Sequence, residues 1–249
     1  LISFKKMFQQ LTPITKNIII LNVIVYILAN FVFSVDFMYS NFSAFFPTSP
    51  LFKSWQIITH MFMHATFQGG GIMHIAFNML TLASFGPVLE RFLGDKKFLI
   101  LYFLSGLGAF VLFNLWELFH MYQIAQPMIA EGYSFLDILT GNFGEVPRNL
   151  QESAVGVIDI LRTPMVGASG AIFGVIAAFA ILYPNAEMFI MFIPFPIKAK
   201  VLFPIAIVVS LVLGISGSGG NIAHFAHIGG ALVGYILIKF WGRNKYRIN

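Results

Sequence analysis

Charge in this chain is confined to the gaps between long apolar runs, and that separation leaves few folds open. Six runs, near 17–37, 73–93, 98–119, 165–183, 200–216 and 223–241, are long and apolar enough to cross a membrane as helices. Only 10% of the 249 residues are Asp, Glu, Lys or Arg, while 58% are hydrophobic. A soluble domain is about 25% charged, so too few charges remain here to cover a water-exposed surface. The sequence therefore predicts an all-α, polytopic bundle of six transmembrane helices forming a single integral-membrane domain over 1–249. No internal repeat is evident, which argues against an inverted-repeat transporter. The chain has no cysteine, excluding disulfides, thiolate zinc sites and a cysteine nucleophile.

Orientation follows from the loops. With an even number of spans both termini share a side. All but Lys53, Arg148 and Arg162 of the 15 Lys and Arg residues fall on that side. By the positive-inside rule both termini are expected in the cytoplasm. Lys5 and Lys6 precede a full-length span without a cleavable signal pattern. Asn17 is the expected N-cap of the first span, Pro184 stops the fourth, and Gly217 to Gly220 form a turn between the last two. The net charge of +5 is modest and nothing suggests a nucleic-acid surface. Segments 38–72 and 120–164 then face outward. The first is too apolar for a solvated loop and too interrupted for a span, so short helices lying in the interface, half submerged, are expected. The second carries Glu131, Asp137, Glu145, Glu152 and Asp159 and reads as an amphipathic cap.

Polar side chains inside apolar spans are costly and usually mark function. Ser169 lies in Gly167-Ala168-Ser169-Gly170 near the outer start of the fourth span, and His227 near the outer start of the sixth. Ala171 rather than glycine stands two residues after Ser169, so the Gly-x-Ser-x-Gly elbow of soluble hydrolases is absent. On the face of His227 lie Ala223, Gly230, Ala231 and Gly234, so its helix can approach a neighbour closely. Gly170, Gly174 and Ala177 give the serine helix a matching smooth flank. His74 and Asn78, four apart on the second span, offer ring and amide donors on one face, as an oxyanion hole requires. Alternate spans run parallel, so all four polar residues share one depth. The acids toward that side, Asp36 and Glu117, lie on other helices, so a Ser–His dyad without a third member is expected. His224 is one turn from His227 and can line the same cavity. His60 and His64 are also four apart, but no carboxylate accompanies them; bonding to backbone carbonyls or headgroups is favoured over a metal. No cofactor is expected.

At these residues the sequence resembles the rhomboid family of intramembrane serine proteases. The pieces that carry the resemblance are His74-x-x-x-Asn78, Glu90-Arg91-Phe92-Leu93-Gly94, Gly167-Ala168-Ser169-Gly170 and Ala226-His227-x-Gly229-Gly230-x-x-x-Gly234. The resemblance implies Ser169 as nucleophile, His227 as general base, and His74 and Asn78 at the oxyanion. It implies transmembrane protein substrates in the lipid bilayer. No metal is expected, and the expected location is a bacterial cytoplasmic (inner) membrane. Two departures stand out. The family's Trp-Arg in the first loop is Trp55-Gln56 here, which puts loop anchoring in question, and the tyrosine that stacks on the histidine is Phe173. The alternative from another class is a catalytically silent scaffold that binds membrane-protein clients.

Overall fold

The computed structural model describes residues 10–188, 195–216 and 224–242. The Gly217 to Gly220 turn, Ala223 and the terminal basic residues Lys5, Lys6, Arg243, Lys245 and Arg247 lie outside the described residues. The helices are α1 (Pro13–Ile27, continued by a π-turn over Leu28–Val32), α2 (Val35–Phe42), α3 (Gln56–Thr59), α4 (Gly71–Leu93), α5 (Asp95–Ile124), α6 (Gln126–Ala130), α7 (Phe135–Thr140), α8 (Gln151–Arg162), α9 (Ser169–Leu182), α10 (Ala199–Ser216) and α11 (His224–Gly242). A two-residue antiparallel pair, β1 (Glu187–Met188) and β2 (Ile197–Lys198), precedes α10. Among the described residues five helices are long and apolar enough to cross a membrane: α1 with its π-turn, α4, α5, α10 and α11. The remaining expected span, the fourth, is α9, which is apolar but has only 14 residues.

Three spans differ from expectation at their ends. The fourth span begins at Ser169 rather than near 165. Residues before it are extended: Pro164 disfavours helix at Thr163, and Met165 exchanges two backbone hydrogen bonds with Ala44, at 3.0 and 2.7 Å. The third span runs from Asp95 to Ile124 rather than 98–119, because its outer end packs into the 120–164 segment. The first span starts at Pro13, so Asn17 lies one turn inside and is not the cap.

The cap comes instead from α4. Glu90 is buried, and its carboxylate accepts from Ile14 N at 2.9 Å, Thr15 N at 2.8 Å, Thr15 Oγ1 at 2.7 Å and Thr12 Oγ1 at 2.5 Å. A negative group at a helix start answers both the unpaired first-turn amides and the positive dipole end. Arg91, beside it, donates to the Gln10 carbonyl at 2.7 Å. The main core lies alongside, with Leu82, Leu89, Phe98, Leu101, Tyr102 and Val175 fully buried.

The outer 120–164 segment is a helical module with its own core. Met121, Met128, Ile138 and Val157 are fully buried there, together with Phe46 of the first loop. Thr48 Oγ1 donates to the Leu139 carbonyl, tying that loop to α7.

Replacing Glu90 with alanine strands several buried donors and should lower stability by ~2 kcal/mol or more. Thermal unfolding in detergent reads this. Arg91→Ala, whose bond is solvent-exposed, should cost less; equal losses would contradict the capping role.

Candidate active site

The first loop, 38–72, shapes the approach to Ser169. Gln56 is fully buried and saturated: its amide donates to the carbonyls of Ser40 at 3.0 Å and Leu51 at 3.2 Å, and its oxygen accepts from Lys53 N at 3.0 Å. Trp55 Nε1 donates to the Asn41 carbonyl at 2.8 Å. Glutamine thus anchors the loop where an arginine was expected from the resemblance. One turn on, His60 is buried with Nδ1 2.8 Å from the Gln56 carbonyl. The His60 carbonyl in turn accepts from Gly167 N at 3.0 Å. With the Ala44–Met165 pair, this clamps the strand that delivers Ser169.

Gly167 has φ +126°, a conformation that side chains other than glycine's adopt only under strain. A Cβ there would meet His74 Nε2 at 3.0 Å and Ser169 Oγ at 3.6 Å. Gly167 therefore leaves a small space bordered by both polar groups. Ser169 opens α9, and the first helical bond into that turn is Ile172 N to Ala168 O at 3.0 Å. The amides of Ser169, Gly170 and Ala171 have no intrahelical acceptor, and the dipole end beside them is positive.

His227 Nε2 lies 2.9 Å from Ser169 Oγ. The contact spans 58 residues of sequence and depends on helices that touch backbone to backbone. A Cβ on Gly230 would fall 1.8 Å from the Gly170 carbonyl oxygen, and one on Gly234 would fall 2.3 Å from that of Gly174. Phe173 stacks on the imidazole with centroids 4.2 Å apart and planes 2° from parallel. His224 is buried and meets the same ring edge-on at 6.1 Å.

The tautomer of His74 follows from its neighbour. Ala65 N donates to His74 Nδ1 at 3.3 Å, so the proton of the neutral ring belongs on Nε2, the atom facing the space above Gly167. One turn along α4, Asn78 is buried and its Nδ2 donor has no hydrogen-bond partner among the described residues. A buried idle donor is costly unless something is meant to occupy it.

The sequence pattern of the Rhomboid domain matches residues 52–244. The chain belongs to the rhomboid family. Among similar rhomboid relatives are Rhomboid protein 1, mitochondrial, of Saccharomyces cerevisiae, 31% identical over 72% of this chain and 40% of that protein. RHOMBOID-like protein 12, mitochondrial, of Arabidopsis thaliana is 30% identical over 85% of this chain and 53% of its own length. Rhomboid protease AarA of Providencia stuartii is 30% identical over 66% of this chain and 49% of its own length. The chain thus spans about half or less of the relatives it matches. As a rhomboid with apolar, membrane-length helices, it is an integral membrane protein.

Sequence reasoning missed the third partner of the rhomboid's close-packed helices. On α5, Ser105 Oγ would be 2.0 Å from a Cβ at Gly174, and Ala109 Cβ 2.4 Å from one at Gly170. Gly108 packs against α11, its carbonyl 2.4 Å from a Cβ at Gly229. The run Ser105-Gly106-Leu107-Gly108-Ala109 carried the signal. Of the two loop histidines, His60 bonds a backbone carbonyl, as expected. His64 packs edge to face on His74 at 5.0 Å, and neither of its ring nitrogens has a hydrogen-bond partner among the described residues. No group of three or more His, Cys, Asp or Glu side chains able to hold a metal is gathered among the described residues.

Burial pushes the loop imidazoles down, His60 to about 4 and His64 to about 3, the latter also opposed by His74. Such a ring binds a proton in the unfolded chain but not in the fold between its depressed value and ~6.5. Their stabilising neutrality is complete above ~pH 6.5 and is lost progressively as pH falls through that window. Thermal stability should therefore decline on acidification, and His64→Phe should flatten the decline without loss at neutral pH. An unchanged acid limb would contradict this. Gly230→Ala should part α9 from α11 and slow reaction of the Ser169 hydroxyl with a fluorophosphonate by on the order of 10²-fold. Gly242→Ala, where a Cβ meets nothing within 4 Å, should leave that rate unchanged.

Proposed function

We propose that this rhomboid is an intramembrane serine endopeptidase that hydrolyses peptide bonds in or near transmembrane segments of membrane proteins. The observation that carries the reading is the 2.9 Å contact between His227 Nε2 and Ser169 Oγ. In the proposed reaction His227 takes the serine proton as Oγ attacks the scissile carbonyl. The carbonyl oxygen, now negative, is held by His74 Nε2–H, Asn78 Nδ2–H and the first-turn amides of α9. His227 gives the proton to the leaving amine, and water releases the acyl-enzyme by the same steps in reverse. Phe173 keeps the imidazole in plane through both transfers. Gly167 leaves room for the oxyanion, and His224 lines the same space.

Depth supports an intramembrane site. At 14 residues α9 is ~21 Å long against a hydrocarbon layer of ~30 Å. With its Pro184 end at the cytoplasmic boundary, Ser169 sits below the outer rim, walled by longer helices. A peptide bond in a helical substrate is hydrogen-bonded and sterically hidden, so it must unwind to reach the serine. Glycine, proline or polar residues near the outer end of a substrate helix favour that step. The proposal places both termini on the cytoplasmic side, from the basic loops. Relatives named as mitochondrial match alongside one from Providencia stuartii, so the expected bacterial inner membrane is not carried into the proposal.

Cleavage of a panel of membrane-spanning peptides by the protein in liposomes tests the reading. Ser169→Ala should abolish turnover, and Asn78→Ala should cost ~2.7–4 kcal/mol in the barrier, a loss of ~10²–10³-fold. Undiminished turnover by Ser169→Ala would overturn it. Failure of the unaltered protein to cut any peptide or to take up a fluorophosphonate would favour the silent scaffold.

A further inference from the structure

The outer module has an apolar edge that its own core leaves partly uncovered. On α5 the exposed residues Leu104, Leu107, Val111, Leu115, Phe119 and Tyr122 recur at steps of three and four, forming one continuous stripe. The lower part of that stripe faces lipid in any membrane placement, since it lies midway along a spanning helix. The upper part needs a separate account. At 30 residues α5 is ~45 Å long, so about ten residues extend past a ~30 Å hydrocarbon layer. Asp95, Lys96 and Lys97 take up part of that excess at the other end, and Phe119 and Tyr122 belong to the outer part, yet they are 52% and 48% exposed. The stripe then passes from the helix to the module: the Tyr122 ring meets Phe135 at 5.7 Å, and the next residue, Leu136, is 68% exposed.

Left in water, this edge would be an apolar patch of the kind that marks an interaction surface. Its continuity with the lipid-facing stripe names the partner. Aromatic rings with one apolar side and one polar tip, such as Tyr122, concentrate at the headgroup level of bilayers. We propose that the edge formed by Phe119, Tyr122, Phe135 and Leu136 is seated in the phospholipid headgroup layer. The module is then a membrane-embedded buttress on one side, which gives the apolar face of the expected amphipathic cap its partner. A separate exposed face, on α8, is polar and suits water: exposed Val155 is spaced there with exposed Glu152, Asp159 and Arg162. The seat also bears on the site. The module holds Phe46 in its core, and Ala44, two residues earlier, pairs with Met165 on the strand leading to Ser169. The lipid contact and the level of the serine are mechanically linked through the first loop.

This inference does not depend on proteolysis, and the absence of cysteine makes it directly measurable. Nitroxide labels are placed at Leu136→Cys and, as the aqueous reference, at Val155→Cys in the full chain in phosphatidylcholine/phosphatidylglycerol liposomes. Power saturation then compares collision with oxygen, which favours lipid, and with a water-soluble nickel chelate. The oxygen-to-nickel ratio should be several-fold higher at 136 than at 155. Equal ratios would mean that the edge faces water and would overturn the proposal. Low collision with both reagents at 136 would mean that a protein surface covers it, and would overturn it equally.

Discussion

Two glycine pairs let α9 and α11 meet with no side chain between their backbones. One methyl group on Gly230 would collide with the carbonyl oxygen of Gly170, and one on Gly234 with that of Gly174. Inside lipid no hydrophobic force drives helices together, so close van der Waals fit and backbone approach must do so. The same approach carries His227 to Ser169. An imidazole reaches a hydroxyl on a neighbouring helix at 2.9 Å when the helix axes are drawn in this far. Ser105, Gly108 and Ala109 on α5 complete the arrangement, so three helices share one small-residue junction. Fold stability and site geometry are therefore one property here.

The first loop supplies what helix packing cannot. Ser169 is the first residue of α9, and a helix start is prone to fraying unless the chain before it is held. Ala44 holds Met165, and the carbonyl of His60 holds Gly167. Buried Gln56 secures the loop itself, accepting the bond from Lys53 and donating to two carbonyls. A glutamine makes these neutral bonds without burying a guanidinium charge, which would need a partner of its own. The same loop presents Ala65 N to His74, fixing which ring nitrogen faces the serine. Ser169 and the His74 ring are thus positioned by one short stretch of irregular chain.

Much of this was legible in the sequence because membrane folding is governed by local rules. Apolar runs placed the spanning helices, and the offsets from His227 to Gly230 and Gly234 pointed to a smooth face. Ser169, His74, Asn78 and Phe173 could each be singled out from composition at their depth or from family resemblance. What escaped were contacts between residues distant along the chain. Glu90 caps α1 from 75 residues away, displacing the local candidate Asn17. The start of α9 shifted to Ser169 because Ala44 drew Met165 into an extended pair. The core of the outer module takes in Phe46 from the first loop. No periodicity within a single helix encodes such pairings.

The central claim is that Ser169, His227, His74 and Asn78 act together on one carbonyl in a pocket sunk within the bilayer. A structure of the protein after reaction with a peptidyl phosphonate addresses it most directly. The account predicts phosphorus bonded to Ser169 Oγ, the phosphoryl oxygen within hydrogen-bond reach of His74 Nε2 and Asn78 Nδ2, and His227 still stacked on Phe173. An adduct on another residue, or a phosphoryl oxygen turned away from α4, would contradict it.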